Sequence, residues 1–225
     1  MGRKRHRVLL RNVLQRLRDT YGPREWPGRR DPVDVLVGTI LSQNTSGANS
    51  SAGFRRLKEK FPDWDAAAHA RTAAIERCIR VSGLSRIKAP RIRAILRRVR
   101  QDRGRIELDF LADMPPQAAC DALLAFDGVG PKTALCVLLF ALGMPVFPVD
   151  THIHRIARRL GVLSDGVPAE RAHEVLTPLV DPPDRYAMHV LLIAHGRAVC
   201  RARSPRCTEC PLRSVCRLGK GEGMG

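Results

Sequence analysis

Aromatic residues are scarce, at 4% of the 225 residues, too few for a platform on which successive unpaired bases could stack. Long apolar runs are missing as well. The longest, around Ala134–Leu142, falls far short of the ~20 residues that a bilayer-spanning helix requires. No membrane partner is therefore expected. The opening residues Met1-Gly2-Arg3-Lys4-Arg5-His6-Arg7 lack the apolar stretch of a secretory signal, so the expected location is intracellular and cytoplasmic. No segment shows sustained two-residue alternation, and there is no internal repeat or low-complexity tract. Strand-built folds and solenoids are thereby disfavoured.

Acidic residues are also few beside basic ones, with Asp+Glu 22 against Lys+Arg 39 and a formal net charge of +17. The cations are concentrated. Arg86, Lys88, Arg91, Arg93, Arg97, Arg98, Arg100, Arg103 and Arg105 share their stretch with one acid, Asp102. Arg197, Arg201, Arg203, Arg206, Arg213 and Arg217 form a second cluster. Such density suits a phosphate backbone, although solvated helix faces would also account for part of it.

Where hydrophobic periodicity exists, it is helical. Val33, Leu36, Val37, Ile40 and Leu41 follow the spacing of a buried helix face, as do Ile92, Ile95, Leu96 and Val99, and again Ile153, Ile156, Ala157 and Leu160. Val8, Leu9, Val13, Leu14 and Leu17 predict an N-terminal helix. Residues 132–142 are apolar nearly all round, as in a helix at the centre of a bundle. The fold class is all-α. The Gly- and Pro-rich stretch Tyr21–Pro32 and the Gly143-Met144-Pro145 break are the boundary signals, and the glycine-rich tail after Cys216 is expected to be disordered.

Three constellations carry chemistry. Cys200, Cys207, Cys210 and Cys216 lie close together, whereas Cys78, Cys120 and Cys136 sit in partly apolar helical contexts and read as core residues. Four neighbouring thiolates in an intracellular chain make a metal site, either zinc or a 4Fe-4S cluster, and spacing alone does not choose. Second, Gly128-Val129-Gly130-Pro131-Lys132-Thr133-Ala134 joins two apolar helices by a turn that a phosphate can approach closely. Lys132 falls in the first turn of the next helix, where it opposes the macrodipole. That placement suits either a phosphate contact or an amine activated for nucleophilic attack. Third, Asp150 precedes the helix containing His152 and His154, which makes it a plain N-cap by position. A capping carboxylate can also stabilise developing positive charge.

Together these segments resemble the endonuclease III family of the helix-hairpin-helix DNA glycosylases. Gly128–Ala134 is similar to the family's hairpin, and Val149-Asp150-Thr151-His152 to its Val-Asp-Thr-His signature. His195-Gly196-Arg197 leads into cysteine spacing like that of its 4Fe-4S loop. Leu41-Ser42-Gln43-Asn44-Thr45 and Gly83-Leu84-x-x-x-Lys88-Ala89 resemble weaker segments upstream. The resemblance implies two helical modules flanking a DNA-binding cleft: residues 25–144 with the hairpin, and 1–24 with 145–225 carrying the cluster.

It further implies a monomeric base-excision glycosylase with abasic-site lyase activity, acting on duplex DNA that contains a damaged base or abasic site and associated with the nucleoid. Lys132 would be the nucleophile and Asp150 its electrostatic partner, with Cys200, Cys207, Cys210 and Cys216 holding a 4Fe-4S cluster. The hairpin at Gly128, Val129, Gly130 and Thr133 would hold the DNA backbone with an alkali cation. Gln43, Asn44 and Leu84 would fill and wedge the duplex, while Lys88, His152, Arg201, Arg203 and Arg206 would contact DNA.

The chain departs from the family at Asp127, where proline is usual, and over Ser42–Gly47, which lines the damage pocket. Rival readings are a thymine or uracil mismatch glycosylase, an enzyme acting mainly on abasic sites and a non-catalytic DNA-binding module. An adenine glycosylase is disfavoured because Thr39 stands where that branch has a catalytic glutamate.

Overall fold

The computed structural model describes residues 2–221, and among these every regular element is helical. The chain divides into two compact units: Gly28–Met144 forms one, while residues up to Pro27 and from Pro145 onward form the other. No helix among the described residues is long and apolar enough to cross a membrane.

The Gly28–Met144 unit contains α2 (Pro32–Ser42), α3 (Gly47–Lys60), α4 (Trp64–His69), α5 (Thr72–Ile79), α6 (Ser85–Arg103), α7 (Pro116–Leu124) and α8 (Pro131–Leu142). Asp31 caps α2 by accepting from Val33 N at 2.7 Å, with Pro32 in the first turn, where a missing N–H costs nothing. Helix α2 packs on α8 and α3, α6 on α5 and α4, and α7 on α8. The predicted stripes are the ones that bury: Val33, Leu36, Val37, Ile40 and Leu41 on α2, and Ile92, Ile95, Leu96 and Val99 on α6. Helix α8 buries Thr133 through Leu139 without a break, as its all-round apolar sequence requires. Cys120 and Cys136 are core residues; Cys78 is half-buried and bonded to Ala74 O.

The other unit is built from α1 (Gly2–Tyr21), α9 (Thr151–Leu160), α10 (Ala172–Leu176) and α11 (Arg185–Ala198), followed by the cysteine loop. Leu10, Val13, Leu14 and Leu17 of α1 join Ile153, Ile156, Leu160, Met188 and Leu191 in one core. Val8, expected on that face, is instead 59% exposed. The stripe runs Leu10, Val13, Leu14, Leu17, and Val8 lies off it while Leu10 lies on it. Arg7 and Arg11 both pair with Asp181, and Arg18 with Asp184. The tail is more ordered than its glycines suggest. Leu218–Lys220 forms a 3-10 turn, anchored by Lys220 N donating to Cys216 O at 3.0 Å; the remainder of the tail lies outside the described residues.

Candidate active site and metal centre

Between α7 and α8 the chain reverses through Gly128, whose φ of +78° is open to glycine and costly for any residue with a Cβ. The Arg91 side chain of α6 lies across this turn, so close that a Cβ at Gly128 would collide with its Cδ and guanidinium. Sequence reasoning did not single out Arg91, because only folding brings it to the hairpin. Val129 was expected to offer its amide to DNA, but that N–H donates to Phe126 O at 3.0 Å and the side chain is buried. The turn consumes this donor to hold its own shape. Gly130 caps α8, leaving the first-turn amides of Lys132 and Thr133 without partners inside the helix. Thr133 itself is buried, its hydroxyl accepting from Gln43 Nε2 at 3.3 Å, so only its amide is available to an anion. Lys132 is half-buried, and among the described residues its amine makes no hydrogen bond or ion pair.

Asn44 adopts a left-handed backbone, φ +52°, and is exposed next to half-buried Gln43. Leu84 also has a left-handed φ of +50° and is 48% exposed, an unusual conformation for a large apolar residue. Backbone strain of this kind persists only where neighbours impose it. Close in the chain lies Lys88, and here the sequence expectation fails. Lys88 is 1% exposed, and its ammonium donates to Leu41 O at 2.8 Å and Ser82 O at 2.9 Å. It therefore cannot reach a phosphate. The signal was present: Lys88 extends the Ile92, Ile95, Leu96, Val99 stripe backwards by one turn, which puts it on the core side of α6. Burial lowers its pKa. The ammonium ties the end of α2, just before Gln43 and Asn44, to the turn that presents Leu84.

In the other unit, Asp150 caps α9, its Oδ1 accepting from Ile153 N at 2.8 Å. Among the described residues its second oxygen accepts no hydrogen bond. His152 is half-buried; its Nδ1 meets Arg155 Nη2 at 3.0 Å, and the ring lies so close to Gly196 that a Cβ there would stand 2.8 Å from it. Arg155 also donates to Gly196 O and to Cys200 O, at 3.1 and 2.8 Å. The helix that begins at Asp150 is thus fastened to the start of the cysteine loop.

Cys200, Cys207, Cys210 and Cys216 line one cavity of about 370 Å³ including its open mouth, together with Ile156, Leu160, Arg159 and His195. None of the four is in a disulfide. Burial first, and then the neighbouring cysteines, push the Cys210 and Cys216 thiols up, so four thiolates gathered here call for positive charge among them. Among the described residues no three His, Cys, Asp or Glu groups converge as they would on a single ion. Four cysteine sulfurs lining one cavity are a donor set that fits a 4Fe-4S group. Arg159 Nη1 donates to Cys200 Sγ at 3.2 Å and to Arg201 O at 2.7 Å. Burial pushes His195 down to about 4, which keeps the imidazole neutral. Arg201, Arg203 and Arg206 are exposed on the same loop, with Arg206 near Glu209 at 3.7 Å. Arg155 and Arg159 are supporting residues that no local motif pointed to, whereas His195 heads the His195-Gly196-Arg197 run that leads into the cysteine spacing.

The family described as HhH-GPD superfamily base excision DNA repair protein matches residues 37–181, and the iron-sulfur binding domain of endonuclease III matches residues 200–216. Endonuclease III of Sulfolobus acidocaldarius is 34% identical over 190 residues, 84% of this chain and 82% of its own length. That of Thermotoga maritima is 35% identical over 197 residues, 85% of this chain and 87% of its own. The chain spans 56% of the length of an Arabidopsis thaliana protein named as a DNA glycosylase, to which it is 38% identical. Among solved structures, a non-covalent endonuclease III–DNA complex and a trapped covalent endonuclease III–DNA intermediate each superpose with a TM-score of 0.81 at 28% identity, over 96% of this chain and 97% and 98% of theirs. The chain belongs to the HhH-GPD superfamily of base excision DNA repair proteins and, within it, to the endonuclease III family of iron–sulfur DNA glycosylases with abasic-site lyase activity.

Proposed function

We propose that this chain removes oxidised pyrimidines from duplex DNA and then nicks the strand, with Lys132 as nucleophile and Asp150 as the carboxylate that steadies the cationic sugar. The observation that carries the reading is Lys132 itself: a half-buried amine with no partner among the described residues, in the first turn of α8, directly after a turn that needs glycine at 128. In its neutral form the amine offers the lone pair that attacks. The amine attacks the sugar C1′, the C1′–N bond breaks and the base leaves with the electron pair. The aminal so formed loses its amine proton and opens the C1′–O4′ bond, O4′ taking up a proton, to give a Schiff base; this loses a C2′ proton, and β-elimination breaks the C3′–O bond and expels the 3′ phosphate. Asp150 already spends one oxygen on its helix cap, which fixes its orientation, and the second oxygen can face the charge that develops on the sugar.

The open amides of Gly130, Lys132 and Thr133 receive a backbone phosphate at the α8 terminus. Arg91, lying on the hairpin, adds a cation there that offsets Asp127. Asn44 and Gln43 fill the space left by the extruded base, and Leu84 wedges the duplex. Arg201, Arg203 and Arg206 add phosphate contacts, and His152 helps to hold the α9 terminus against the DNA. The four cysteines would hold a 4Fe-4S cluster, which would tie the loop covalently, its iron core offsetting part of the thiolate charge. The enzyme acts as a monomer on DNA inside the cell.

Duplexes carrying thymine glycol, uracil opposite guanine or an abasic site, incubated with borohydride, test the proposal. Base release from thymine glycol with a trapped adduct that Lys132→Ala abolishes is the expected result. Uracil release without cleavage would replace it with a mismatch glycosylase, an adduct on abasic DNA alone with a lyase, and an adduct in Lys132→Ala would remove Lys132 from its role.

A further inference from the structure

Behind the four cysteines stands a pair of side chains that the proposed chemistry does not use. Tyr21, the last residue of α1, places its hydroxyl 3.0 Å from His195 Nδ1, and the two rings meet edge to face with centroids 6.1 Å apart. His195, on α11, is 1% exposed, and its Nε2 lies 3.6 Å from Cys210 Sγ. A cysteine bound to iron is a thiolate and has no proton to give, so it can only accept. Nε2 must then carry the ring proton and donate to sulfur. That leaves Nδ1 with a lone pair only, and the Tyr21 hydroxyl is its donor. Each assignment forces the next.

We propose that Tyr21 is a positioning residue for the iron–sulfur cluster: by donating to His195 Nδ1 it locks the imidazole in the one tautomer that hydrogen-bonds the Cys210 ligand. The relay is directional and anchored at both ends, because Tyr21 terminates a helix whose Leu14 and Leu17 are buried in the same core as α11. The Cys200 ligand has a donor of its own in Arg159 Nη1. Hydrogen bonds to cluster sulfurs withdraw electron density from them and raise the reduction potential. The N-terminal helix, remote in sequence from the cysteine loop, thereby sets a property of the cluster. The inference rests on these four cysteines holding a 4Fe-4S cluster.

Tyr21→Phe is the test, because it removes one oxygen and keeps the ring that packs on His195. Iron content of the unaltered holoprotein, purified without oxygen, is measured first; about four irons per chain secures the cluster reading separately. Tyr21→Phe is then expected to retain that iron content while its Fe–S(Cys) stretching bands move to higher frequency and its midpoint potential becomes more negative. His195→Leu shifts both in the same direction and further. If Tyr21→Phe matches the unaltered protein in bands and midpoint, the relay is overturned, whether or not His195→Leu keeps its cluster.

Discussion

Replacing Lys88 with methionine separates a core lysine from a DNA contact. The ammonium holds the Leu41 and Ser82 carbonyls, and it is 1% exposed. Methionine has a similar length and no donor, so two buried acceptors lose their partner at a cost of about 1–3 kcal/mol each. Relief from burying a charge returns part of this, since an ion taken out of water pays several kcal/mol even after relaxation. A net loss on the order of 1–3 kcal/mol, the size of one orphaned buried acceptor, is expected as a lower urea midpoint with an unchanged slope. Binding to a duplex with a stable abasic analogue should weaken as well, because the turn that presents Leu84 is no longer tied to the segment before Gln43. That weakening should be the same at every salt concentration. A lysine that touched phosphate would behave oppositely: stability would be kept, and the log–log salt dependence of binding would flatten by about one. That second pattern would refute the assignment of Lys88 to the core.

Asp150→Asn should keep the α9 cap, since asparagine caps as well as aspartate, yet reduce base release on the order of 10²-fold; Asp150→Ala should lose the same activity and about 1 kcal/mol of stability in addition. Thermal melts beside single-turnover base release distinguish the cap from the charge. Gly128→Ala forces a left-handed backbone on a Cβ that collides with Arg91. Its direct cost is about 1–2 kcal/mol from the backbone alone, together with weaker duplex binding, read by urea unfolding and anisotropy. Hydrogen bonds from Arg11 and then Arg7 hold the Asp181 carboxyl down at about 2 against 3.8 for a free group. The folded state therefore binds fewer protons than the unfolded one in that window, and the pair's contribution, present above 3.8, fades as pH falls towards 2. Acid unfolding of Asp181→Asn should show a shallower pH dependence over this range.

Local pattern sufficed wherever physics acts through near neighbours in the chain. The stripes Val33–Leu41, Ile92–Val99 and Ile153–Leu160 bury as their spacing demands, because a helix puts every third and fourth residue on one side. Proline in a first turn and an acid at the cap fixed the starts of α2 and α9, and four cysteines close in sequence identified a metal loop. The place of Lys132 in the first turn of α8 was legible for the same reason.

Tertiary structure decided what depends on residues that are distant in sequence. Whether a lysine on a helix points outward or inward turns on what packs over it, and at Lys88 the buried carbonyls of Leu41 and Ser82 waited for a donor. Arg91 came to the hairpin from α6, and Arg155, Arg159, His195 and Tyr21 converged on the cysteine loop from three helices. No periodicity encodes such meetings. Buried polar groups must find partners, and the partner is whichever donor or acceptor the completed packing places within about 3 Å.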